Sequence, residues 1–452
     1  MINSRIRSDF IKGVDLSGLL KIEENGGIFK ENEISIDALQ IFSEHTLNYV
    51  RLRIWHTPVH GYNSLSRTLQ MASRIKSSGL KFLLDFHYSD TWADPGHQTK
   101  PIAWENISFQ ALKDSVYQYT NQVITELKNQ NTLPDIIQIG NEIICGMLWN
   151  DGLVCDQYNT PEQWSQFAEL ITQGINGVND GLDADDTVKI MIHIDHGGNN
   201  IINQWFFDHL LAENVNFDII GLSYYPWWHG TMNDFEFNVQ DLAQRYGKNI
   251  ILAETAYPWT LEWNDNTQNI VGDSSQLHPG YPATVEGQRN FISDLIEIIL
   301  NIPNNNGLGL FYWAPEWIST SQSGSPWENM ALFDFTGEVL SSITVFDSTL
   351  SGLRVTDEFP IPFSLNGNYP NPFNPLTTIH YDLPKNSFVR IVIYDIMGRK
   401  VSMLASEKQN AGYQSITWNG TNDYGAPVSA GVYLYQIRAG NFAETRTMVL
   451  LK

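Results

Sequence analysis

Cysteine is nearly absent: Cys145 and Cys155 are the only two in 452 residues. Lying ten positions apart, they either close a loop disulfide in an exported protein or stay reduced, and spacing alone leaves both open. Basic residues are scarce, with 27 Lys and Arg against 50 Asp and Glu, for a formal net charge of −23. A field of that sign repels phosphate backbones and anionic lipid, which argues against nucleic acid and membrane surfaces as partners. It would also repel a polyuronic acid. Long apolar runs are missing, so no segment is expected to span a bilayer. Met1-Ile-Asn-Ser lacks the basic-then-apolar opening of an export signal, so an exported protein would have lost its leader from this sequence. Charged residues make up only 17% of the chain. What is abundant is aromatic: 14 Trp, 19 Tyr and 22 Phe give 12% aromatics in a chain that is 42% hydrophobic. That composition is globular and suits stacking on flat sugar faces, with roughly half of these rings assigned to ordinary core packing.

The most informative stretch is Pro134-Asp-Ile-Ile-Gln-Ile-Gly-Asn-Glu-Ile143. An apolar, β-branched run that ends abruptly on the polar pair Asn141-Glu142 is the pattern of a buried parallel strand emerging at its carboxyl end. Asn249-Ile-Ile-Leu-Ala-Glu-Thr255 repeats the pattern and ends on Glu254. In a (β/α)8 barrel the chemistry gathers at those strand ends. Two carboxylates facing one pocket are what hydrolysis of a glycosidic bond with retention requires.

Other segments supply the remaining strands. The chain opens with Gly13-Val-Asp15, followed by a helix expected over Ser35–His45 with Ser35 as its N-cap. Tyr49–Trp55 is the next strand, with Arg51 and Arg53 on one face; Arg53, nearer the tip, is expected to reach the pocket and hold a carboxylate. A helix over Leu65–Ser78 leads to the strand Lys81–His87 and an exit loop dense in polar and aromatic groups. His87, Asp90 and Trp92 in that loop are expected to line a site. A helix over Ser108–Asn129 precedes the Asn141-Glu142 strand. Val188–Ile194 follows; His193, Asp195 and His196 near its end lack companions at zinc-like spacing, so no metal is expected there. Phe217–Ser223 leads into Tyr224 and Tyr225, and Gly307–Trp313 completes eight strands before a last helix near Leu332–Val345.

Texture then changes. Residues 1–346 are expected to form the catalytic (β/α)8 domain, 347–362 a linker closing on Pro360-Ile-Pro362, and 363–452 a small immunoglobulin-like β-sandwich. The sandwich is expected from alternating strands at 388–394, 414–418, 431–437 and 444–451, with turns at Asn419-Gly420 and Asn422–Gly425. It has no acidic pair suited to catalysis.

Val50–Trp55, Asp85–Gly96, Gly140-Asn-Glu142, Ser223–Pro226, Ala253–Pro258 and Gly309–Trp317, in this order, resemble glycoside hydrolase family 53, the arabinogalactan endo-β-1,4-galactanases. The resemblance spans roughly Gly13 to Val345. It implies a barrel that cuts β-1,4-galactan within the chain with retention, using Glu142 as acid/base and Glu254 as nucleophile. Within that scheme, Arg53 and Tyr224 or Tyr225 would keep Glu254 ionised, and Asn141 would bind the sugar 2-hydroxyl. Trp313 would floor the cleaved residue, and Trp92, Trp227, Trp228 and Trp327 would serve outer subsites. Some bacterial members carry calcium after the seventh strand. Here Asp265 and Asn269 are suitable oxygen ligands, but Trp263 and Thr267 fall where further ligands belong, so no cofactor is expected. Asn368–Pro375, Tyr394–Arg399 and Ala430–Tyr433 resemble the sorting-type sandwich of exported proteins, implying an extracellular or cell-surface address. A monomer is expected. Another β-1,4-glycanase of this architecture, such as a mannanase, shares both glutamates, and a non-catalytic sugar-binding protein would explain the aromatics but not the paired carboxylates.

Overall fold

A computed structural model describes residues 9–347, 363–369, 371–409, 412–440 and 442–451. Apart from Asp347, the expected linker lies outside the described residues. The chain divides into two compact units, Met1–Leu353 and Arg354–Lys452.

The first unit is a closed barrel of eight parallel strands: β1 (Ile11–Asp15), β2 (Tyr49–Ile54), β3 (Lys81–Phe86), β4 (Ile136–Ile139), β5 (Lys189–Ile194), β6 (Ile219–Ser223), β7 (Asn249–Thr255) and β8 (Gly307–Trp313). Each strand pairs with its sequence neighbour and β8 closes on β1, with Asp15 opposite Trp313. Apolar side chains from all eight strands plug the lumen: Ile11, Tyr49, Leu83, Ile136, Met191, Ile219, Ile251 and Phe311. Above that plug the inward side chains turn polar, and there the site forms.

Helices wrap the barrel and bury their inner faces against the outer side of the strands. Their starts follow local chemistry. Ser108 accepts from Ala111 N to begin Phe109–Asn129, Thr160 precedes Pro161–Gly181 with proline in the first turn, and Thr231 with Asp234 forms a capping box. Two expectations need correction. Residues Ile34–Ser35 pair with Lys30–Glu31 in a small hairpin, so the helix begins at Ala38, capped by Asp37 rather than Ser35. The last helix does not form over Leu332–Val345. Asp334 accepts from the amides of Thr336 and Glu338 around Gly337 (φ 80°), folding the chain back so that Phe333 bridges Val339. A 3-10 segment, Ser341–Phe346, follows.

The second unit is an antiparallel sandwich. One sheet joins Ser364–Tyr369, Thr377–Leu383 and Gly412–Trp418; the other joins Lys400–Gln409, Ser387–Asp395, Gly431–Ala439 and Phe442–Leu450. Ile379, Tyr381, Val389, Ile391, Trp418, Tyr435 and Met448 lie in its core. Three of these strands, at 364–369, 377–383 and 400–409, go beyond the four expected from sequence.

Candidate active site

Arg51 organises the barrel mouth. It rises from the middle of β2, is 1% exposed, and makes five hydrogen bonds. Nη1 donates to Asp15 and to Glu254 Oε1, both at 2.8 Å. Nη2 donates to Asp85 and Asn141 at 2.9 Å, and Nε to Gln138 at 3.2 Å. Charge-assisted, planar contacts of this kind fix geometry better than a lysine can. Arg53 does line the cavity that holds both glutamates, as expected, but the arginine that holds Glu254 is Arg51. A long guanidinium that starts one layer deeper ends at the level of the carboxylates, whereas one starting at the strand tip overshoots. Arg53 lies against the Trp92 ring, 4.0 Å from its centroid, and makes no ion pair with Glu254.

Glu254 also accepts from the Tyr225 hydroxyl at 3.2 Å. Burial pushes its carboxyl up to about 7, with Arg51 opposing the rise and Asp15 and Asp85 adding to it. Glu142 is pushed well above the usual carboxylate range, first by burial, then by the charges of Glu254 and Asp195. Among the described residues its one direct support is the Ser223 hydroxyl, which donates to Oε1 at 2.6 Å. Two carboxyls in one buried site hold a shared proton on the less supported member. That member is Glu142, because Glu254 has a guanidinium and a phenol.

The approach to Glu142 is sharply bent. Gly140 has φ 81° and Glu142 φ 49°, so the chain leaves β4 through left-handed backbone. A Cβ at Gly140 would sit 2.7 Å from Ile143 Cγ2, so glycine is required there. Just beyond, Cys145 and Cys155 are joined in a disulfide with Cα atoms 5.0 Å apart.

Glu142 and Glu254 line one cavity of about 300 Å³, together with Arg51, Asp85, His87, Asn141, Tyr225 and the rings of Trp92, Trp228, Trp313 and Trp327. The rings form a continuous wall: Trp313 lies 6.2 Å from Trp92 and 4.6 Å from Trp327, which in turn meets Tyr225 at 5.7 Å. His87 Nδ1 accepts from Trp55 Nε1 and Ala93 N, so its proton sits on Nε2, facing Asp85 at 3.0 Å. Asn141 spends one amide hydrogen on Ala93 O.

Two expected site residues are placed elsewhere. Tyr224 is fully buried; its hydroxyl donates to Gly230 O and its ring stacks on Phe235, because the chain after β6 turns it toward the helices. Asp90 spends its oxygens on the amides of Thr57 and Ile102 and lines a neighbouring cavity with Arg53, Tyr62 and Glu316. In the loop after β7, Asp265 accepts from the amides of Thr267 and Ser325, while Asn269 Oδ1 is buried without a hydrogen-bond partner. Asp15, Asp85, Gln138, His193 and Ser223 belong to the site and had no assigned role in the sequence. Their shared signal was a polar residue inside, or ending, a buried barrel strand.

A parallel barrel with paired carboxylates and an aromatic wall at its carboxyl end defines a glycosidase. The model of glycosyl hydrolase family 53 matches residues 11–346, and that of the FlgD Ig-like domain matches 376–441. The chain belongs to glycosyl hydrolase family 53. It is 46% identical to a Niallia circulans protein named "Uncharacterized protein in bgaB 5'region", over 78% of this chain and 97% of that one. It is 33% identical to the arabinogalactan endo-beta-1,4-galactanase of Cellvibrio japonicus, over 72% of this chain and 87% of the relative. Among solved structures it resembles the Ignisphaera aggregans GH53 catalytic domain with a TM-score of 0.70 and 41% identity, covering 75% of this chain and 96% of that one. Among the described residues, no helix is long and apolar enough to cross a membrane.

Proposed function

We propose that this glycosidase cleaves β-1,4-galactosidic bonds inside galactan chains by double displacement, with Glu254 as nucleophile and Glu142 as acid/base. The observation that carries this is the unequal support of two carboxyls in one cavity. Arg51 and Tyr225 both donate to Glu254 and favour its ionised form, while Glu142 has a single hydroxyl and the greater pull toward a proton. Glu254 attacks the anomeric carbon as Glu142 protonates the departing oxygen, giving a galactosyl-enzyme ester. Water then attacks the same anomeric carbon as Glu142 takes its proton, and the bond to Glu254 breaks, releasing its carboxylate. Retention of this kind needs carboxyls about 5–5.5 Å apart. Tyr225, as a neutral phenol, steadies the attacking oxygen until the bond forms. Trp313 offers a face for the cleaved residue, and Trp92, Trp228 and Trp327 extend the stacking surface along the chain.

The galactan substrate rests on the family and on a relative named as an arabinogalactan endo-beta-1,4-galactanase. The same reading takes the protein to act outside the cell or at its surface, as a monomer without a cofactor, with the sandwich serving export or attachment. Reducing-end release from linear β-1,4-galactan, with β-1,4-mannan in parallel, tests it. Galactan alone should yield oligosaccharides, and Glu254→Ala should abolish the release with the fold intact. Turnover of mannan at an equal rate would overturn the substrate assignment.

A further inference from the structure

Behind Glu142 runs a buried chain of hydrogen bonds that leads back to Arg51. Ser223 Oγ lies 2.6 Å from Glu142 Oε1 and 3.0 Å from His193 Nε2. His193 Nδ1 stands 3.0 Å from both Gln138 Nε2 and Asn141 Oδ1. Ser223 and His193 are fully buried. Both neighbouring amides have fixed orientation. Arg51 donates to Gln138 Oε1, which leaves Gln138 Nε2 as the donor beside His193. Gln138 Nε2 has two hydrogens and three acceptors within reach: Gly140 O at 3.0 Å, His193 Nδ1 at 3.0 Å and Asn141 Oδ1 at 3.1 Å. Asn141 Oδ1 already accepts from Arg51 Nη2 at 2.9 Å. One Gln138 hydrogen on Gly140 and the other on His193 Nδ1 satisfies every donor, whereas a proton on His193 Nδ1 would leave three donors competing for Asn141 Oδ1, so His193 Nδ1 accepts from Gln138. The imidazole hydrogen therefore sits on Nε2 and donates to Ser223 Oγ.

A hydroxyl has one hydrogen. If Ser223 accepts from His193, that hydrogen is free for Glu142 Oε1 and nothing else. The opposite tautomer would make Ser223 donate to His193 and accept from Glu142, which would place the carboxyl proton on Oε1, the oxygen already engaged by protein. We propose that His193, held as the Nε2–H tautomer by Gln138, makes Ser223 a one-way donor to Glu142 Oε1. The transferable proton is thereby confined to Oε2, and the ionised carboxylate keeps one hydrogen bond when it acts as base. His193 and Ser223 are positioning residues, and this proposal rests on Glu142 being the acid/base. No proton leaves the chain: His193 stays neutral through both steps, and only Oε2 of Glu142 gains and loses hydrogen.

The charged and titratable groups facing this chain are Glu254 and Tyr225 across the cavity, Asp195 after β5, Arg51 from β2, and His87 and His229 toward His193. All remain in the variants below. The test is the alkaline limb of the kcat/KM–pH profile on β-1,4-galactan, which follows deprotonation of the free-enzyme acid. Ser223→Ala removes a charge-assisted bond to the ionised form, so the limb should move upward by about one pH unit. His193→Gln keeps an N–H near the Nε2 position and should leave the limb in place, whereas His193→Phe removes the bond that fixes the Ser223 hydroxyl and should move the limb upward, by less than Ser223→Ala does. Should Ser223→Ala fail to fold, the two His193 variants give the same comparison. A uniform loss of kcat with an unmoved limb would assign these residues to packing and overturn the proposal. Glu142→Gln separates the two levels of argument. If it keeps the alkaline limb, the acid/base assignment itself fails; if it loses the limb while Ser223→Ala does not shift it, only the tautomer proposal fails.

Discussion

Exchanging each of the two β2 arginines for lysine separates the arginine that holds the nucleophile from the one that does not. Arg51 makes five hydrogen bonds, three of them to carboxylates that are themselves nearly inaccessible. An ammonium has three donors on a shorter head and cannot span Asp15, Asp85, Asn141, Gln138 and Glu254 at once. Arg51→Lys therefore loses at least two bonds. At about 1.5–3 kcal/mol for a hydrogen bond to a charged group, the loss of two is roughly 3–6 kcal/mol. Part of it falls on stability, because carboxylates are left buried without a partner. The part that falls on Glu254 raises its pKa, so the acidic limb of the kcat/KM profile moves upward and activity at pH 6 drops by about a hundredfold or more. Arg53→Lys is the control. Its guanidinium stacks on Trp92, a contact worth about 1 kcal/mol, so the loss should stay within roughly tenfold and the acidic limb should not move. The assay is initial-rate hydrolysis of galactan from pH 4 to 9, with thermal unfolding of each variant. A larger limb shift for Arg53→Lys than for Arg51→Lys would refute the placement of the guanidiniums.

Two further outcomes follow from the same interior. Glu316 is 1% exposed and burial beside Asp15 pushes its carboxyl up to about 8. The folded state therefore prefers the protonated form: this stability is present in full below the unfolded pKa and is lost as pH rises through about 8. Thermal unfolding from pH 5 to 9 should fall by a few kcal/mol for the native chain and stay flatter for Glu316→Gln; parallel curves would contradict the burial argument. Trp228 is 57% exposed at the cavity rim, so truncation costs the fold little. Trp228→Ala should raise KM for long galactan by roughly tenfold while leaving short oligosaccharides unaffected, as expected for loss of one outer stacking contact; equal effects on both would return Trp228 to a packing role.

How far the sequence carried this site follows from its periodicity. Buried parallel strands announce themselves through runs such as Ile136–Ile139 and Asn249–Thr255, and their polar ends mark Glu142 and Glu254 directly. Which polar group meets which is another matter. Arg51 and Arg53 share a face of β2, and only the depth at which each side chain starts decides that the first holds Glu254 and the second rests on Trp92. Tyr224 and Tyr225 differ by one position, hence by opposite sides of the chain after β6, so one enters the helical core and the other the cavity. A backbone-paired hairpin at Lys30–Ser35 moved one expected helix start, and the Asp334 side chain capping the turn at 334–338 replaced the last expected helix, because local bonds outweighed helical periodicity. In the sandwich, the strand Thr377–Leu383 lies outside the four expected strands although Ile379, Tyr381 and Leu383 alternate inward.

The most direct measurement is the anomeric configuration of the first product, followed by proton NMR during early hydrolysis of a β-1,4-galacto-oligosaccharide. Two carboxyls that take turns at one carbon atom, with Glu254 bonded to the sugar in between, predict that the β-anomer accumulates first and that α appears only by mutarotation. Initial release of the α-anomer would mean single displacement by water, and would contradict the division of labour between Glu254 and Glu142.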